Sequence, residues 1–313
     1  MDGTVGIDGT GPAGQQGGGI PLGEGRVAID YFDPPADLRR YVTTLFHFRC
    51  DEPAIHDIQP ADVGKILLVL KGRGAADILD NPDFPVPPFS LQSPTSVAVP
   101  FRFIEGFHSL GAALTPLGWA ALTNLPADEH ADRIFSIADL LGDDAPLESL
   151  RQRYVAGEIG QEEMVAELCA FIVRHIKRVT ERHARLVEQV VHWLGTSLDP
   201  DLDDLYAACT YSTRQTQRLV EKYFGLNPRA LKRKYRAVRA AAILTSPDTS
   251  EEQVTAVQEH FYDQSHLIRE IGIFVGKTPS RLGGGENPIL NKLLDTRNFR
   301  IVDADGDSFE APE

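Results

Sequence analysis

Cysteine is scarce in this sequence, and its spacing excludes several kinds of site. The 313 residues contain only Cys50, Cys169 and Cys209, which lie far apart. Structural zinc sites and disulfide frameworks need closely spaced or paired cysteines, so we predict neither. We expect three reduced thiols that behave as small apolar groups in a reducing cytosol.

Long apolar runs are also missing. No run reaches the roughly 18 residues that a membrane-spanning helix needs. The opening stretch, MDGTVGIDGTGPAGQQGGGIPLGEG, lacks the basic segment and apolar core of a signal peptide. Its glycine content predicts a flexible arm over residues 1–25, and its GTVGIDGTG string lacks the GK[ST] of a phosphate loop. We therefore expect a cytoplasmic protein without membrane contact.

The sequence has no signature of catalysis or of cofactor binding. No serine lies in a GxSxG frame. His47, His56, His108 and His130 form no H-x-H pair followed by a glutamate. We therefore predict that the protein is not an enzyme and that it uses no metal or other cofactor.

Positive charge is in deficit over the whole chain but is concentrated in one segment. The net charge is −14, which argues against a protein coated in nucleic acid. Between Tyr211 and Thr245, however, Glu221 is the only acidic residue among many lysines and arginines. A local contact with nucleic acid is therefore compatible with an acidic molecule.

The first part of the chain has the patterns of strands and turns. VAIDYF, YVTTLFHFRC, KILLVL, SVAVPFRFIEGFHSL and GAALTPL predict strands, and DPPAD, KGRG and DNPDFPVPP predict turns between them. Strands at this spacing favour a small β-sandwich or barrel. We assign a β-rich regulatory domain to residues 26–142.

Helical spacing replaces alternation after Gly118. In QEEMVAELCAFIVRHIKRV, Met164, Leu168 and Phe171 recur at helical spacing, which favours a core-facing stripe over the alternative of a dimerising helix pair. We assign a helical connector to 143–180, an all-helical domain to 181–300 and an acidic tail to 301–313. The predicted fold class is α+β, with a β-rich domain followed by an all-α domain.

Two stretches of the helical part match each other at a constant offset of 51 residues. The matched pairs are Tyr211 and Tyr262, Ser212 and Asp263, Arg218 and Arg269, Gly225 and Gly276, Pro228 and Pro279, and Leu231 and Leu282. Serine and aspartate are good helix N-caps, and Gln215 would complete a capping box in the first copy. A glycine followed by a proline then ends the helix. The repeat predicts two short helices with the same beginning and end.

Each short helix is predicted to have an apolar inner face and a polar outer face. The inner residues are Leu219, Val220, Tyr223 and Phe224 in the first copy and Leu267, Ile271 and Phe274 in the second. Arginine and glutamine one turn apart on an outer face can make bidentate hydrogen bonds with guanine and adenine. Such residues are also ordinary on a solvated face, but the duplication favours DNA recognition.

The two copies resemble the AraC/XylS family of bacterial transcription regulators. The first signature is S-T-R-Q-T-Q-R-L at 212–219 with Y-F-G-L-N-P at 223–228. The second is F-Y-D-Q-S-H-L-I-R at 261–269 with V-G-K-T-P-S-R-L at 275–282. The resemblance, firm over about 181–282, implies two helix-turn-helix units joined by one long helix.

The resemblance implies that the second helix of each unit enters the major groove. The implied base or groove contacts are Thr213, Arg214, Gln217 and Arg218 in the first unit, and Gln264, Ser265, Ile268 and Arg269 in the second. The implied phosphate contacts are Ser212, Lys232, Arg233, Lys234 and His266. Local packing or capping is the other interpretation of His266, and ion pairing inside the protein is the other interpretation of Arg236 and Arg239.

The sequence departs from the family pattern at two turns and in one helix. Thr210 and His260 stand where these regulators usually have glycine, so altered turns are expected. The second groove helix has few polar groups and contains Gly272. We therefore expect the first unit to read most of the sequence and the second to contribute position.

The resemblance also implies partners. Double-stranded DNA comes first, with RNA polymerase and an unidentified small-molecule effector as further candidates, and the protein would be a monomer or a homodimer. The alternative function is a ligand-binding or protein-interaction protein whose helix-turn-helix repeat has lost affinity for DNA.

Overall fold

The computed structural model describes residues 27–78, 81–283 and 286–294. The arm predicted for 1–25 and the tail predicted for 301–313 lie outside these ranges. Seven strands come first along the described chain, two helices and a short last strand follow, and the rest is helical, which confirms the predicted α+β fold class.

One antiparallel sheet contains all eight strands of the described residues. These are β1 (Val27–Phe32), β2 (Val42–Cys50), β3 (Ala54–Gln59), β4 (Lys65–Ile78), β5 (Asn81–Pro85), β6 (Phe89–Gln92), β7 (Val99–Leu114) and β8 (Ile134–Ser136). The strand order is β1-β2-β7-β4-β6-β8, with β3 paired to β7 and β5 paired to β4. Val99–Leu114 is one strand, although its sequence predicted two.

The long strands β4 and β7 are irregular where they face each other. Glu105 and Gly106 have φ angles of 66° and 65°, and Gly72 on β4 has a φ of 76°. A Cβ atom on Gly72 would collide with the carbonyl oxygen of Gly106. Such bulges bend strands, and the inner side chains, among them Phe48 and Phe107, form a buried apolar cluster.

Twelve α-helices lie in the described residues. They are α1 (Pro116–Thr123), α2 (Ala127–His130), α3 (Ile137–Leu141), α4 (Ala145–Val155), α5 (Gln161–His175), α6 (Glu181–Gly195), α7 (Leu202–Ala208), α8 (Thr213–Phe224), α9 (Pro228–Thr245), α10 (Glu251–Glu259), α11 (Gln264–Val275) and α12 (Pro288–Leu293). A 3-10 turn, Pro279–Arg281, follows α11. None of the described helices combines the length and the apolar character that crossing a membrane requires.

The three largest apolar cores of the described residues hold these elements together. Met164, Leu168 and Phe171 of α5 are buried in the core that covers the sheet, which confirms the core-facing stripe. A second core joins α6, α7 and α8 around Trp193. A third joins α9, α10, α11 and α12 and includes Ala61 from the segment after β3.

The last helices are attached to the sheet by polar contacts. The backbone N–H of Ala61 donates to the carbonyl of Phe274 at 2.7 Å, and that of Ala98 donates to Ile273 at 3.0 Å. The buried carboxylate of Asp57 accepts from the backbone N–H of Ile289 at 2.7 Å and so caps α12. These contacts fix α11 and α12 against β3 and β7.

Candidate nucleic-acid interface

The two repeated helices have the same length and the same ends. Each contains 12 residues, Thr213–Phe224 in α8 and Gln264–Val275 in α11. Ser212 caps α8 by accepting from the N–H of Gln215 at 3.4 Å, and Asp263 caps α11 by accepting from the N–H of His266 at 2.7 Å. The predicted N-caps are therefore confirmed.

Both helices also end as predicted. Gly225 and Gly276 adopt left-handed φ angles of 79° and 83°, and each donates its N–H to the preceding turn. This conformation favours glycine because a side chain would be strained there. One detail differs from the prediction, because the Ser212 hydroxyl donates to the Gln215 side chain at 3.2 Å instead of completing a capping box. The closed capping box lies at Ser250 and Gln253, ahead of α10.

The side-chain orientations follow the predicted faces. The residues buried on the inner faces are Leu219, Val220, Tyr223, Phe224, Leu267, Ile271 and Phe274. All eight predicted groove residues are exposed, namely Thr213, Arg214, Gln217, Arg218, Gln264, Ser265, Ile268 and Arg269. All eight side chains are therefore accessible to solvent in this arrangement.

The turns before the two helices do not need glycine. His260 has a φ of −79°, and Thr210 is not among the described non-glycine residues with positive φ. A side chain is unstrained in that conformation. Threonine and histidine can adopt the backbone angles of these two turns, so neither turn requires glycine.

Three arginines on the exposed faces lack an acidic partner within ion-pair distance among the described residues: Arg214, Arg218 and Arg269. Gln217 is held in place, since its side-chain N–H donates to the hydroxyl of Tyr206 on α7 at 3.0 Å. The three guanidinium groups can therefore bind acceptors on a ligand, whereas one N–H of the Gln217 amide is already used by Tyr206.

Most of the basic residues of α9 are engaged inside the protein, whereas Arg229 at its start is exposed. Lys232 pairs with Asp199 at 3.0 Å. Arg233 and Arg236 pair with Glu270 at 2.5 Å and 2.7 Å. Glu270 is fully buried; burial would raise the pKa of its carboxyl, but the hydrogen bonds from the two arginines outweigh this and lower the pKa. The phosphate contacts predicted for Lys232 and Arg233 would compete with these ion pairs, whereas the structural role considered for Arg236 is observed.

Lys234 requires a correction. Only 4% of this residue is exposed, and its ammonium group donates to the carbonyls of Asp62 and Thr95, both at 2.7 Å. Burial lowers the pKa of Lys234 to about 8. The predicted phosphate contact is wrong for this arrangement, because the charge lies between the helical part and the sheet. Arg239 is likewise buried and donates to the carbonyls of Leu194 and Ser197.

His266 also departs from its predicted phosphate contact. Its Nδ1 accepts from the backbone N–H of Tyr262 at 3.4 Å, and its Nε2 lies 3.0 Å from a carboxylate oxygen of Glu270. Because both ring nitrogens are used, the ring caps and packs locally, which was the other interpretation. Ser212 is exposed, but its hydroxyl is engaged with Gln215.

A cleft of about 410 Å³ separates α8 from α2 of the N-terminal region. Asp128 and Glu129 line one side, and Arg218 and Lys222 line the other. The carbonyl oxygen of Ala127 lies only 3.3 Å from the place where a Cβ atom on Gly225 would stand. Acidic groups of the N-terminal region thus lie close to the exposed face of α8.

An apolar cavity of about 180 Å³ lies inside the sheet. Phe46, Phe48 and Phe103 from the strands line it, together with Lys234, Tyr235 and Val238 from α9. A molecule in this cavity would touch the sheet and the helix that joins the two repeated units.

The sequence did not reveal Glu270 and Asp57 as organising residues. Both are buried carboxylates whose partners come from distant parts of the chain, so local patterns gave no signal for them. In the described ranges no group of three or more histidine, cysteine or acidic residues is placed to hold a metal ion.

No family model matches the sequence, and no curated protein matches it with significance. Among solved structures, the chain is similar to ToxT from Vibrio cholerae, with a TM-score of 0.45 and 11% identity over 75% of this chain and 96% of that chain. A second ToxT structure, of the unsaturated fatty acid bound wild-type protein from Vibrio cholerae strain SCE256, gives 0.43 and 10% over 72% and 92%. The AraC-like transcriptional activator CuxR gives 0.28 and 15% over 68% and 86%.

Proposed function

We propose that the protein is a sequence-specific DNA-binding transcription regulator that places α8 and α11 in two successive segments of the major groove, about 10 bp apart. The observation that supports this most is the duplicated helix. Two 12-residue helices, each preceded by a short helix and joined by α9, leave their predicted groove residues exposed.

Base recognition would come mainly from α8. Arg214 and Arg218 can each donate two hydrogen bonds to a guanine edge, and Gln217 can pair with an adenine edge. On α11 the counterparts of Arg214 and Gln217 are Ser265 and Ile268. Ile268 suits an apolar contact with a thymine methyl group, so α11 would contribute less discrimination.

Electrostatic attraction to the backbone would come from exposed cations on α8 and at the start of α9. Lys222 and Arg229 are exposed beside the first unit, whereas Lys232, Arg233 and Lys234 are engaged inside the protein. Each phosphate neutralised steepens the dependence of affinity on salt by nearly one power of the salt concentration. We expect a moderate salt slope, consistent with an acidic protein.

The N-terminal domain would modulate DNA binding through the cavity in the sheet. Its lining is mostly aromatic and aliphatic, so it suits a small molecule that is largely apolar. Because Lys234, Tyr235 and Val238 of α9 form part of the wall, an occupant would act directly on the helix that spaces the two units.

Selection from a duplex library with a random 30-bp segment tests this function. The full-length chain should enrich a motif with two blocks about 10 bp apart, and a footprint on a selected duplex should cover both blocks. Arg214→Ala should relax the preference within one block more than Ser265→Ala relaxes it within the other. The absence of any enrichment or binding at low salt would favour the alternative, a ligand-binding or protein-interaction protein without affinity for DNA.

A further inference from the structure

Tyr262 is unusually exposed for an aromatic residue. Its relative exposure is 93%, and the next most exposed large hydrophobic residue of the described chain is Val155 with 64%. An aromatic side chain left in water forgoes apolar burial. Packing within the chain therefore does not account for this side chain.

The turn that presents Tyr262 is held firmly. Phe261, the preceding residue, is buried and packs edge-on against the ring of His266, with centroids 5.9 Å apart. The guanidinium of Arg236 lies over the Phe261 ring, 4.8 Å from the ring centroid. The backbone N–H of Tyr262 donates to Nδ1 of His266, and Asp263 caps α11. The Tyr262 side chain is thus fixed at its base and projects outward.

The equivalent residue of the first unit is used differently. Tyr211 lies 51 positions earlier, and its ring lies under the guanidinium of Arg182, 4.3 Å from the ring centroid. Its hydroxyl is buried. One position of the repeat therefore has a packed tyrosine in the first unit and a solvent-facing tyrosine in the second.

We propose that Tyr262 binds the DNA backbone, its hydroxyl donating a hydrogen bond to a phosphate oxygen beside the N-terminal end of α11. This inference rests on the proposed function. Gln264 and Ser265, the exposed residues of the first turn of α11, would face the groove, and Tyr262 stands just ahead of them. Tyrosine hydroxyls contact phosphates in protein–DNA complexes, and such contacts fix the register of the protein on the duplex.

The other groups of this region give Tyr262 a particular role. His266, the phosphate contact predicted from the sequence, uses both ring nitrogens inside the protein. Arg233, beneath α11, pairs with Glu270. A phenol adds no charge, so a contact through Tyr262 orients the second unit without steepening the salt dependence.

Fluorescence anisotropy with a labelled 30-bp random-sequence duplex pool tests the inference on the full-length chain. Tyr262→Phe keeps the ring and removes only the hydroxyl, and we expect affinity to fall about threefold to tenfold, the effect of one lost hydrogen bond. The slope of affinity against salt should not change. Tyr154→Phe, the same chemical change on α4, is the matched control and should bind like the parent.

A methylphosphonate scan of one duplex recovered by the selection locates the contact. Replacing single phosphates should weaken parental binding at several positions, and at one of them Tyr262→Phe should be insensitive. Tyr262→Phe binding within twofold of the parent would overturn the inference and leave the proposed function standing. Weak binding by Tyr262→Ala but not by Tyr262→Phe would assign the contact to the ring and overturn the phosphate contact. Failure of the parent to bind the pool at low salt would overturn both.

Discussion

The two repeated helices share a backbone frame but are anchored by different forces. At the same position of the repeat, α8 has Leu219, buried in an apolar core, and α11 has Glu270, buried between Arg233 and Arg236. The position of the first helix therefore depends on apolar packing, whereas the position of the second depends on specific charged partners from α9. Two helices with the same caps and the same length are thus stabilised in the protein by different interactions.

The helices also differ in how they meet the N-terminal region. The end of α11 is joined to the sheet side by backbone hydrogen bonds from Ala61 and Ala98. The exposed side of α8 instead faces the open cleft beside Asp128 and Glu129. The second unit is thus joined to the sheet by backbone hydrogen bonds, whereas the first packs against α1 and α2 and presents most of the exposed polar groups.

The largest effect should come from Glu270→Ala. The change removes the buried carboxylate from Arg236, which is only 7% exposed and keeps Asp199 at 3.0 Å as its other partner, and breaking such a buried pair costs about 3–5 kcal/mol. We expect the free energy of unfolding, measured in urea, to fall by that amount. Because the pKa of Glu270 is lowered in the folded chain, the difference from the parent should shrink as the pH falls through that lowered value.

Leu219→Ala is the matched change in α8, and it should cost about 2–4 kcal/mol independently of pH in the same range. Glu259→Ala, at an exposed position, is the control and should change stability by less than about 0.5 kcal/mol. Equal unfolding midpoints for Glu270→Ala and Glu259→Ala would mean that the buried pair does not hold α11.

The contrast between the exposed faces predicts unequal losses of DNA recognition. Arg214→Ala with Gln217→Ala should reduce affinity for a selected duplex tenfold to a hundredfold or more, because bidentate base contacts are lost. Ser265→Ala with Ile268→Ala, at the equivalent positions, should reduce it less. Titrations of both double variants against the same duplex measure the two losses of affinity. A larger loss from the second pair would mean that α11, and not α8, reads most of the sequence.

The two C-cap glycines should respond differently to alanine. Gly276→Ala imposes a left-handed φ on a side chain and places its Cβ 2.7 Å from Ile58, so we expect a loss of about 2–4 kcal/mol. Gly225→Ala carries the same φ cost with a looser contact of 3.3 Å and should lose about 1–2 kcal/mol. Thermal unfolding of the two variants compares them, and equal losses would show that the contact with Ile58 relaxes freely.

The last effect depends on pH and concerns Lys234, which joins α9 to the segments beside the sheet. Its pKa of about 8 in the folded chain lies below the usual lysine value, so the unfolded chain binds more protons above pH 8 and stability rises with pH there. Between pH 7.5 and 9.5 the parent should gain about 2 kcal/mol over Lys234→Met. Lys222→Met, at an exposed position, should follow the parent, and parallel pH curves for Lys234→Met and the parent would contradict the buried charge.

Local chemistry made the helical frame predictable. Ser212, Asp263, Gly225 and Gly276 act on residues within one turn of themselves, so their caps and stops could be inferred from the sequence. The inner and outer faces follow from helical periodicity for the same reason. The prediction wrongly divided the long strand β7 into two strands at Gly111.

Contacts between distant residues could not be predicted in this way. Lys234 looks like any other member of a basic run, and only its bonds to Asp62, 172 positions away, reveal that it is buried. The same holds for Glu270 and its arginines on α9. Strand β3 was missed because AIHDIQ mixes polar and apolar residues and is defined mainly by its pairing with β7.

The capping of α12 by Asp57 joins the last described helix to a strand near the beginning of the chain. The segment between α5 and α6 contains exposed Lys177 and Arg178, which trypsin recognises. After a single cleavage there, the two fragments would stay bound to each other through the hydrogen bonds of Asp57, Ala61 and Lys234. They would elute together in gel filtration until a denaturant separated them. The folded protein can therefore remain in one piece even when its polypeptide chain has been cut.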